Sequence, residues 1–308
     1  MKKLIFLIFA LGLFGCNSDK VPSGIGEMQM SKDDKYIYFS YYDGRNASIF
    51  RVDSSGLNLN CIVSAKNDTS FYNPYLSNDN KKIVFIGYAN RSNKSSIYVA
   101  NIDGSSVQRL TDGNEMIREA FHSEYNNEII YCKATEEKKY SPVGSSGAHG
   151  FDIFSLNLES MKTKKMSTLN AYQLGYITEF NKDSLLVYSY TNESGMFLFA
   201  KNNPDSLQRI EAKSESNELP NFYYQPLYSK TYQSYVFSNG YGLRVMDKSK
   251  TVRKTYDVPS PFIDCFCLYN TKARIFFTIE GDRCFYSINF DGTNLKKIEV
   301  QLPERKKQ

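Results

Sequence analysis

A frame of 14 residues recurs six times along this 308-residue chain and constrains its fold more than any other feature. Each copy begins and ends on an apolar or aromatic residue and follows a β-rich run that ends on an aromatic side chain. The frames are Ile49–Ile62, Ile97–Leu110, Ile153–Met166, Phe197–Ile210, Leu243–Tyr256 and Phe285–Ile298, and the aromatics are Phe39, Phe85, Tyr131, Tyr188, Phe237 and Phe277. These aromatics lie 40 to 57 residues apart. Such a period is typical of a propeller blade, because one small sheet buries its faces only by stacking on copies of itself.

The second repeat shows how one blade is written. Its predicted strands are Phe71–Leu76, Lys82–Ile86, Ser95–Ala100 and Val107–Thr111. Asp103-Gly104 between the last two predicts a tight type I′ hairpin turn, in which both central residues take a positive φ. The sequence therefore predicts an all-β protein, a six-bladed β-propeller of four-stranded antiparallel blades in one domain spanning residues 26–302. Since no spare strand precedes residue 26, the ring is expected to close by packing blade 1 against blade 6.

The turn after the first strand carries a recognisable pattern in two repeats, Ser31-Lys32-Asp33-Asp34-Lys35 and residues 77–81. Together with the later Asp-Gly turn it resembles the TolB-type β-propeller repeat, in which Ser-Pro-Asp-Gly-Lys precedes the buried strand. The match is close in repeats one, two and six, and rests on spacing in the others. The resemblance implies a six-bladed periplasmic or lipid-anchored propeller. It implies little about activity, because such repeats occur in colicin-translocation proteins, peptidase gates and glycan lyases.

The N-terminus has the pattern of a lipoprotein signal peptide over residues 1–15. Two lysines precede an apolar stretch, Leu4–Phe14, which is too short for a membrane-spanning helix. Cys16 after Gly15 resembles the bacterial lipobox, which implies lipidation of Cys16 and attachment to a membrane; the alternative is an ordinary signal peptide with an incidental cysteine. Asn17 favours the outer membrane, with the periplasmic and surface faces both open. Residues 16–25 are expected to form a tether and residues 303–308 a basic tail.

Charge and cysteine content exclude some classes of function. Loss of Lys2 and Lys3 with the signal leaves 36 basic and 33 acidic residues, a net charge of +3 that does not indicate a nucleic-acid partner. With Cys16 lipidated, five cysteines remain, an odd number that cannot pair completely. Buried free thiols are favoured over a disulfide for this set, which comprises Cys61, Cys132, Cys265, Cys267 and Cys284.

Blade 3 departs most from the repeat. The segment Lys133–Gly150 lengthens the connection between its second and third strands, on the rim that also carries the blade-to-blade crossovers. Propellers commonly bind ligands on that rim, and we expect a flexible cover there, although loops also lengthen without function. Ser146 and His149 do not form a nucleophile site, because the G-x-S-x-G pattern and its strand-to-helix setting are missing.

Candidate binding residues are the charged side chains on predicted inner strands and the two histidines of the chain. They are Arg118, Glu119, His122, His149, Glu179 and Asp264. Buried without partners these charges would be costly, so a wet axial channel or mutual pairing is expected. For His122, which occupies an apolar position in most repeats, packing is favoured over ligand binding. Aromatic pairs near strand ends, such as Tyr41-Tyr42, Phe71-Tyr72 and Tyr223-Tyr224, suit a sugar platform or the core, and the core is favoured.

No catalytic set, metal site or cofactor motif is predicted. The leading hypothesis is a lipid-anchored, non-enzymatic binding module for an envelope protein partner or a glycan. The alternative is a carbohydrate-active lyase or hydrolase with its site at the mouth of the propeller channel.

Overall fold

The computed structural model describes residues 24–66, 68–89, 92–139, 146–190, 194–213, 223–238, 242–255 and 262–304. These residues form six four-stranded antiparallel sheets, each built from four consecutive strands. The predicted fold class, an all-β six-bladed propeller, is confirmed. The signal peptide, Cys16 and residues 305–308 lie outside the described residues. Within the described part, no helix is long and apolar enough to cross a membrane.

The blades follow the chain in order, and the first strand of each lies innermost. Blade 1 contains β1 (Ile25–Met30), β2 (Tyr36–Tyr42), β3 (Ala47–Asp53) and β4 (Asn60–Val63), and blade 2 contains β5 (Thr69–Leu76), β6 (Lys82–Ala89), β7 (Ser95–Asn101) and β8 (Gln108–Arg109). Blade 3 contains β9 (Met116–His122), β10 (Glu128–Lys138), β11 (Gly147–Asn157) and β12 (Thr163–Lys165), and blade 4 contains β13 (Gln173–Asn181), β14 (Ser184–Tyr190), β15 (Ser194–Ala200) and β16 (Gln208–Arg209). Blade 5 contains β17 (Tyr224–Ser229), β18 (Ser234–Ser238), β19 (Leu243–Asp247) and β20 (Val252–Thr255), and blade 6 contains β21 (Ile263–Leu268), β22 (Arg274–Ile279), β23 (Phe285–Asn289) and β24 (Lys296–Ile298).

The hydrophobic core lies between the blades. Its six clusters each join residues of two neighbouring blades, including blades 6 and 1, where Phe39 and Phe285 meet with ring centroids 5.2 Å apart. The repeated aromatic residues of the second strands are buried, because each sheet can hide its faces only against the next; each strand continues beyond its aromatic residue, which the sequence pattern placed at the end. Closure by packing blade 1 against blade 6 is confirmed.

Polar contacts strengthen this closure. The buried Asp34 of blade 1 accepts backbone N–H bonds from Asn270 at 2.6 Å and from Thr271 at 2.9 Å, both in blade 6. At the other side of the same interface, the Tyr41 hydroxyl donates to the Pro303 carbonyl at 2.7 Å, so the chain beyond β24 packs against blade 1.

The Ser-x-Asp pattern at residues 31–35 and 77–81 recurs because its serine and aspartate side chains close the turn between the first and second strands. The Ser31 hydroxyl donates to Asp33 and accepts the Tyr36 N–H, and Ser77 makes the same pair of bonds in blade 2. The serine hydrogen bond lowers the pKa of Asp33 and of Asp79. Each turn is thus closed by its own side chains.

The Asp-Gly turns differ from the type I′ prediction. Gly104 has a φ of +86°, whereas Asp103 is not among the residues with a positive φ. The Asp103 carboxylate accepts the Ser105 N–H at 2.9 Å, which holds the aspartate in an ordinary conformation and leaves only the glycine left-handed. The glycine is required, because a Cβ at Gly104 would lie 2.0 Å from the Ile62 carbonyl oxygen of blade 1.

In its described residues, 133–139 and 146–150, the insertion in blade 3 is a β-hairpin extension rather than the expected flexible cover; residues 140–145 lie outside the described residues. β10 and β11 pair as far as Lys138 and Gly147, four residues beyond the Ala134–Phe151 pair at which the shorter hairpins would end. The extension is held by both neighbouring blades: Asn93 of blade 2 donates to Glu137 at 2.9 Å, and His149 stacks on Tyr172, next to blade 4. Paired backbone makes the segment part of the sheet.

The five described cysteines are free thiols, in agreement with the prediction. Four are buried, but Cys61 in the outer strand of blade 1 is exposed, so the expectation of burial was wrong for this residue. An outer strand has one face on solvent, which the spacing of cysteines does not indicate.

Candidate functional sites

A β-bulge interrupts the inner strand of every blade at an equivalent position. The register shifts between Ile25 and Met28 in blade 1, and corresponding shifts occur in the other five blades. Asn73, Tyr176 and Gln225 take positive φ values at these bulges, and Arg118 is the extra residue in blade 3. Bulges re-aim side chains. Here they form a ring around the propeller axis.

The axial cavity has a volume of about 470 Å³ and is lined by inner strands of all six blades. Residues of the first-to-second strand turns, including Lys32, Glu124 and Asn270, line its outer part. It therefore occupies the end of the channel opposite the crossover rim. We call that end the turn rim.

Glu27 and Glu119 occupy equivalent bulge positions in blades 1 and 3 and line the axial cavity. Burial raises the pKa of both carboxyl groups, and that of Glu119 reaches about 7 even though Arg118 and the Ile177 N–H, donated at 3.0 Å, oppose the shift. Each is half-buried, as side chains of a narrow channel are. Glu119 therefore titrates near neutral pH.

Glu179 also lines the axial cavity, but its role is structural. Its carboxylate is buried, accepts bonds from the Ser123 hydroxyl at 2.9 Å and from the Glu124 N–H, and pairs with Lys201. These contacts join blades 3 and 4. The prediction of mutual pairing for buried charges describes this residue well.

The two other inner-strand candidates lie apart from this set. His122 lines a separate cavity of about 540 Å³ with Asp79 and Lys82, between blades 2 and 3. Burial lowers its pKa, and its Nε2 has no hydrogen-bond partner within the described chain. Asp264 lies in the bulge of β21, is half-buried and has a polar partner of its own.

The crossover cavity, of about 290 Å³, brings Arg118 and His149 together on the predicted rim. Tyr88, Asn93, Met116, Ile117, Ala148, Phe151, Tyr172 and Gln173 complete its lining. They come from inner strands, second-to-third connections and the crossover into blade 4. The extended hairpin supplies His149, whose ring lies 4.4 Å from that of Tyr172 and whose Nδ1 is 3.3 Å from the Tyr172 carbonyl oxygen.

Arg118 is held beneath this cavity by its own backbone. The Asn73 amide and the Tyr88 hydroxyl donate to the Arg118 carbonyl at 2.8 and 3.5 Å, which fixes the bulge. Its guanidinium carbon lies 5.8 Å from the centre of the Phe151 ring. Burial disfavours the charged form, but the neighbouring Cys132 and Glu119 raise the pKa of Arg118 above its ordinary value. It remains a cation at any physiological pH.

Exposed tyrosines continue from this cavity across blades 4 and 5. Tyr172 and Tyr190 are 39% and 38% exposed with ring centroids 5.8 Å apart, and Tyr224, 39% exposed, stacks on Tyr188 at 5.4 Å. We call Tyr172, Tyr190, Tyr224 and His149 the aromatic rim. Of the aromatic pairs proposed from sequence, Tyr41 and Phe71 are core residues, whereas Tyr224 is exposed.

Sequence reasoning did not identify Glu27, Tyr172 or Tyr190. Glu27 lies at the start of the first repeat, at the position that holds Glu119 in the third, so alignment of the repeats would have found it. Tyr172 lies in a crossover with no regular pattern. Among the residues described, no group of three or more His, Cys, Asp or Glu side chains is arranged to hold a metal ion.

No protein-family profile and no curated protein matches this sequence. Solved structures match it by fold. TolB from Acinetobacter baumannii superimposes with a TM-score of 0.64 at 11% identity, over 89% of this chain and 66% of that one, so the chain spans just under two thirds of that TolB. A luciferin-regenerating enzyme gives 0.61 at 10% identity over 91% and 96% of the two chains. XC5397 from Xanthomonas campestris, described as a gluconolactonase, gives 0.59 at 13% identity over 90% and 87%. Identities this low establish a shared propeller fold and leave function open.

Proposed function

We propose that this protein is a non-enzymatic binding module of the cell envelope that binds a glycan on its crossover rim. The observation that carries the proposal is the aromatic rim, where three tyrosines expose more than a third of their surface beside a polar cavity. Ring faces of this kind suit the apolar faces of sugars, and the neighbouring Asn93, Gln173 and Arg118 suit hydroxyl groups.

Paired alanine substitutions test this proposal. Binding of the full-length protein to oligosaccharides on a glycan array should fall about 10-fold in Tyr172→Ala and in Tyr190→Ala, for the loss of one stacking face. Tyr232→Ala is the matched control, since Tyr232 is equally exposed, at 38%, on the turn rim. Equal losses in all three variants would contradict the site. Failure to bind any glycan, together with crosslinking of one envelope protein through Tyr172 or Tyr190, would favour a protein partner instead.

Membrane attachment through a lipid on Cys16, at the outer membrane, belongs to the same proposal. It is supported by the lipobox-like sequence at Leu13–Cys16. A diacylated cysteine holds a soluble domain durably at a membrane, because each buried methylene contributes about 0.8 kcal/mol. Cys16→Ser should move the protein from the membrane fraction to the soluble fraction. Continued retention of this variant would contradict lipidation.

A second candidate function is supported by Glu119. A carboxyl group with a pKa of about 7 in the wall of an axial cavity has the protonation behaviour of a general acid, so a carbohydrate-active lyase or hydrolase is the alternative. Here the substrate would enter from the turn rim. Release of shorter products from an oligosaccharide, lost in Glu119→Gln and retained in Tyr172→Ala, would establish this function over the first.

A further inference from the structure

We infer that the glycan bound at the crossover rim is acidic, and that Arg118 binds its carboxylate in the crossover cavity. This inference deepens the proposed function and rests on it. It adds the chemical class of the ligand and a residue that selects it.

The first argument is the state of the Arg118 guanidinium. Among the residues that the structure describes, none accepts a hydrogen bond from it and no carboxylate forms an ion pair with it. Its nearest described neighbours include the Phe151 ring and the backbone of Gly175, where a Cβ would lie 3.4 Å from Nε. The Arg118 side chain is half-buried in the wall of the crossover cavity, and its guanidinium has five donors to satisfy. An anionic ligand group supplies the missing acceptors.

The second argument is that the nearby acidic side chains do not take this role. Glu119 is turned toward blade 4, where its Oε1 accepts the Ile177 N–H at 3.0 Å and lies 3.8 Å from the Cys132 Sγ. Glu27 lies on the inner strand of blade 1, and its interaction with Arg118 is electrostatic: the charge of Arg118 opposes the rise of the Glu27 pKa that burial causes. Burial raises the pKa of both carboxyl groups, that of Glu119 to about 7, so Glu119 is not fully ionised near neutral pH. The charge of Arg118 is therefore incompletely compensated.

The third argument concerns the shape of the ligand. A carboxylate matches the planar fork of a guanidinium with two parallel hydrogen bonds. A hexuronic acid carries that carboxylate on a sugar ring, which places an acid group and a stacking face within one residue. The crossover cavity offers the same two features, Arg118 in its lining and the His149–Tyr172 stack beside it.

The electrostatic surroundings predict how binding depends on pH. Groups that face Arg118 from the elements packed around it are Glu27 on β1, Tyr88 on β6, Glu119 on β9, Cys132 on β10, His149 on β11 and Tyr176 on β13. Of these, Glu119 loses its negative charge as the pH falls through about 7. Affinity for an acidic glycan should therefore rise between pH 8 and pH 6, and this rise should be smaller in Glu119→Gln.

The test compares short oligosaccharides of hexuronic acids with their methyl esters, which keep the sugar and cap the charge. Calorimetry on the wild-type, full-length protein should show at least 10-fold tighter binding of the acid than of its ester. Arg118→Gln should lose about 30-fold in affinity for the acid and little for the ester, and Arg118→Lys should fall between. Inorganic phosphate and acetate alone should compete weakly.

The outcomes separate the two proposals. Equal binding of acid and ester by the wild-type protein would overturn the role of Arg118 and leave the glycan-binding function standing, since Tyr172→Ala would still weaken both. Phosphate competing as strongly as the acidic oligosaccharide would assign Arg118 to a free anion and overturn the acidic glycan. Absence of binding to every sugar would overturn both proposals. The wild-type comparison needs no variant, so a folding defect in Arg118→Gln would not obscure the result.

Discussion

Asp34 is expected to hold the propeller ring closed, and replacing it should open the interface between blades 1 and 6. Its carboxylate accepts two backbone N–H bonds, the Asn270 amide at 3.2 Å and the Thr271 hydroxyl. Among the described strands, none completes the sheet of another blade, so closure depends on packing and on bonds of this kind. Asp34→Ala leaves the backbone N–H groups of Asn270 and Thr271 without these acceptors.

The magnitude follows from these bonds and from a matched control. Hydrogen bonds to a charged group contribute about 1.5–3 kcal/mol each and are not additive within one cluster, so we expect a net cost of about 3 kcal/mol. Asp34 also has a φ of +58°, which adds about 1 kcal/mol for alanine. Asn80 is its equivalent in blade 2, with a φ of +55°, but within the described part of the chain its side chain accepts only the Lys32 N–H, at 3.5 Å. Asn80→Ala therefore carries the backbone cost without the closure cost.

Thermal and urea unfolding followed by far-UV circular dichroism measure this difference. The chain has no tryptophan, so indole fluorescence is not an option. If Asp34→Ala loses about 3 kcal/mol more unfolding free energy than Asn80→Ala, its melting temperature should be lower by roughly 5 °C for a chain of this size. Hydrogen exchange should show faster exchange of the Asn270 and Thr271 amides in Asp34→Ala than in Asn80→Ala. If the two variants lose the same stability, the Asp34 contacts do not close the ring.

Three further predictions concern charges and turns. Burial raises the pKa of Glu119 to about 7, so the stability that this residue contributes is present below about pH 4.5 and is lost as the pH rises to 7. Measured by urea unfolding, the decline in stability over this pH range should be smaller by roughly 3 kcal/mol in Glu119→Gln. Lys201→Met leaves the buried Glu179 carboxylate without its cation and should cost about 3–5 kcal/mol, and a loss below 1 kcal/mol would contradict that role. Gly104→Ala should lower the melting temperature, because a Cβ at this left-handed residue would lie 2.0 Å from the Ile62 carbonyl oxygen of blade 1; an unchanged melting temperature would refute this.

The architecture could be predicted from the sequence because the repeat keeps a constant length even where its residues differ. Each 14-residue frame spans a third strand, a turn and a fourth strand, and that length is fixed by strand geometry even where the turn residues change, as at Asn203-Pro204. Burial of Phe39 and Phe285 between blades follows from the same stacking. The turn conformation at Asp103 was mispredicted, because a local side-chain bond decided it.

The strand conformation of the extended hairpin in blade 3 could not be predicted from the sequence. Glu136, Glu137 and Lys138 are poor strand formers, and the glycine-rich run after them indicates a loop. Their strand conformation comes from tertiary contacts, notably the Asn93 bond to Glu137 and the stacking of His149 on Tyr172. Single-sequence patterns contain no information about which neighbouring blade a side chain will meet.

Folding alone already satisfies several of the charged candidates, and this separates structural charges from those available to a ligand. On the turn rim, Glu179 pairs with Lys201 within blade 4, and Glu124 of blade 3 pairs with Lys230 of blade 5 at 2.5 Å, so the fold itself provides partners for these charges. Arg118, at the bulge that faces the crossover rim, has no such partner in the described structure. Because a half-buried cation without a counter-ion is costly, Arg118 is the charged group beside the exposed aromatic surface that the anionic ligand proposed above would satisfy.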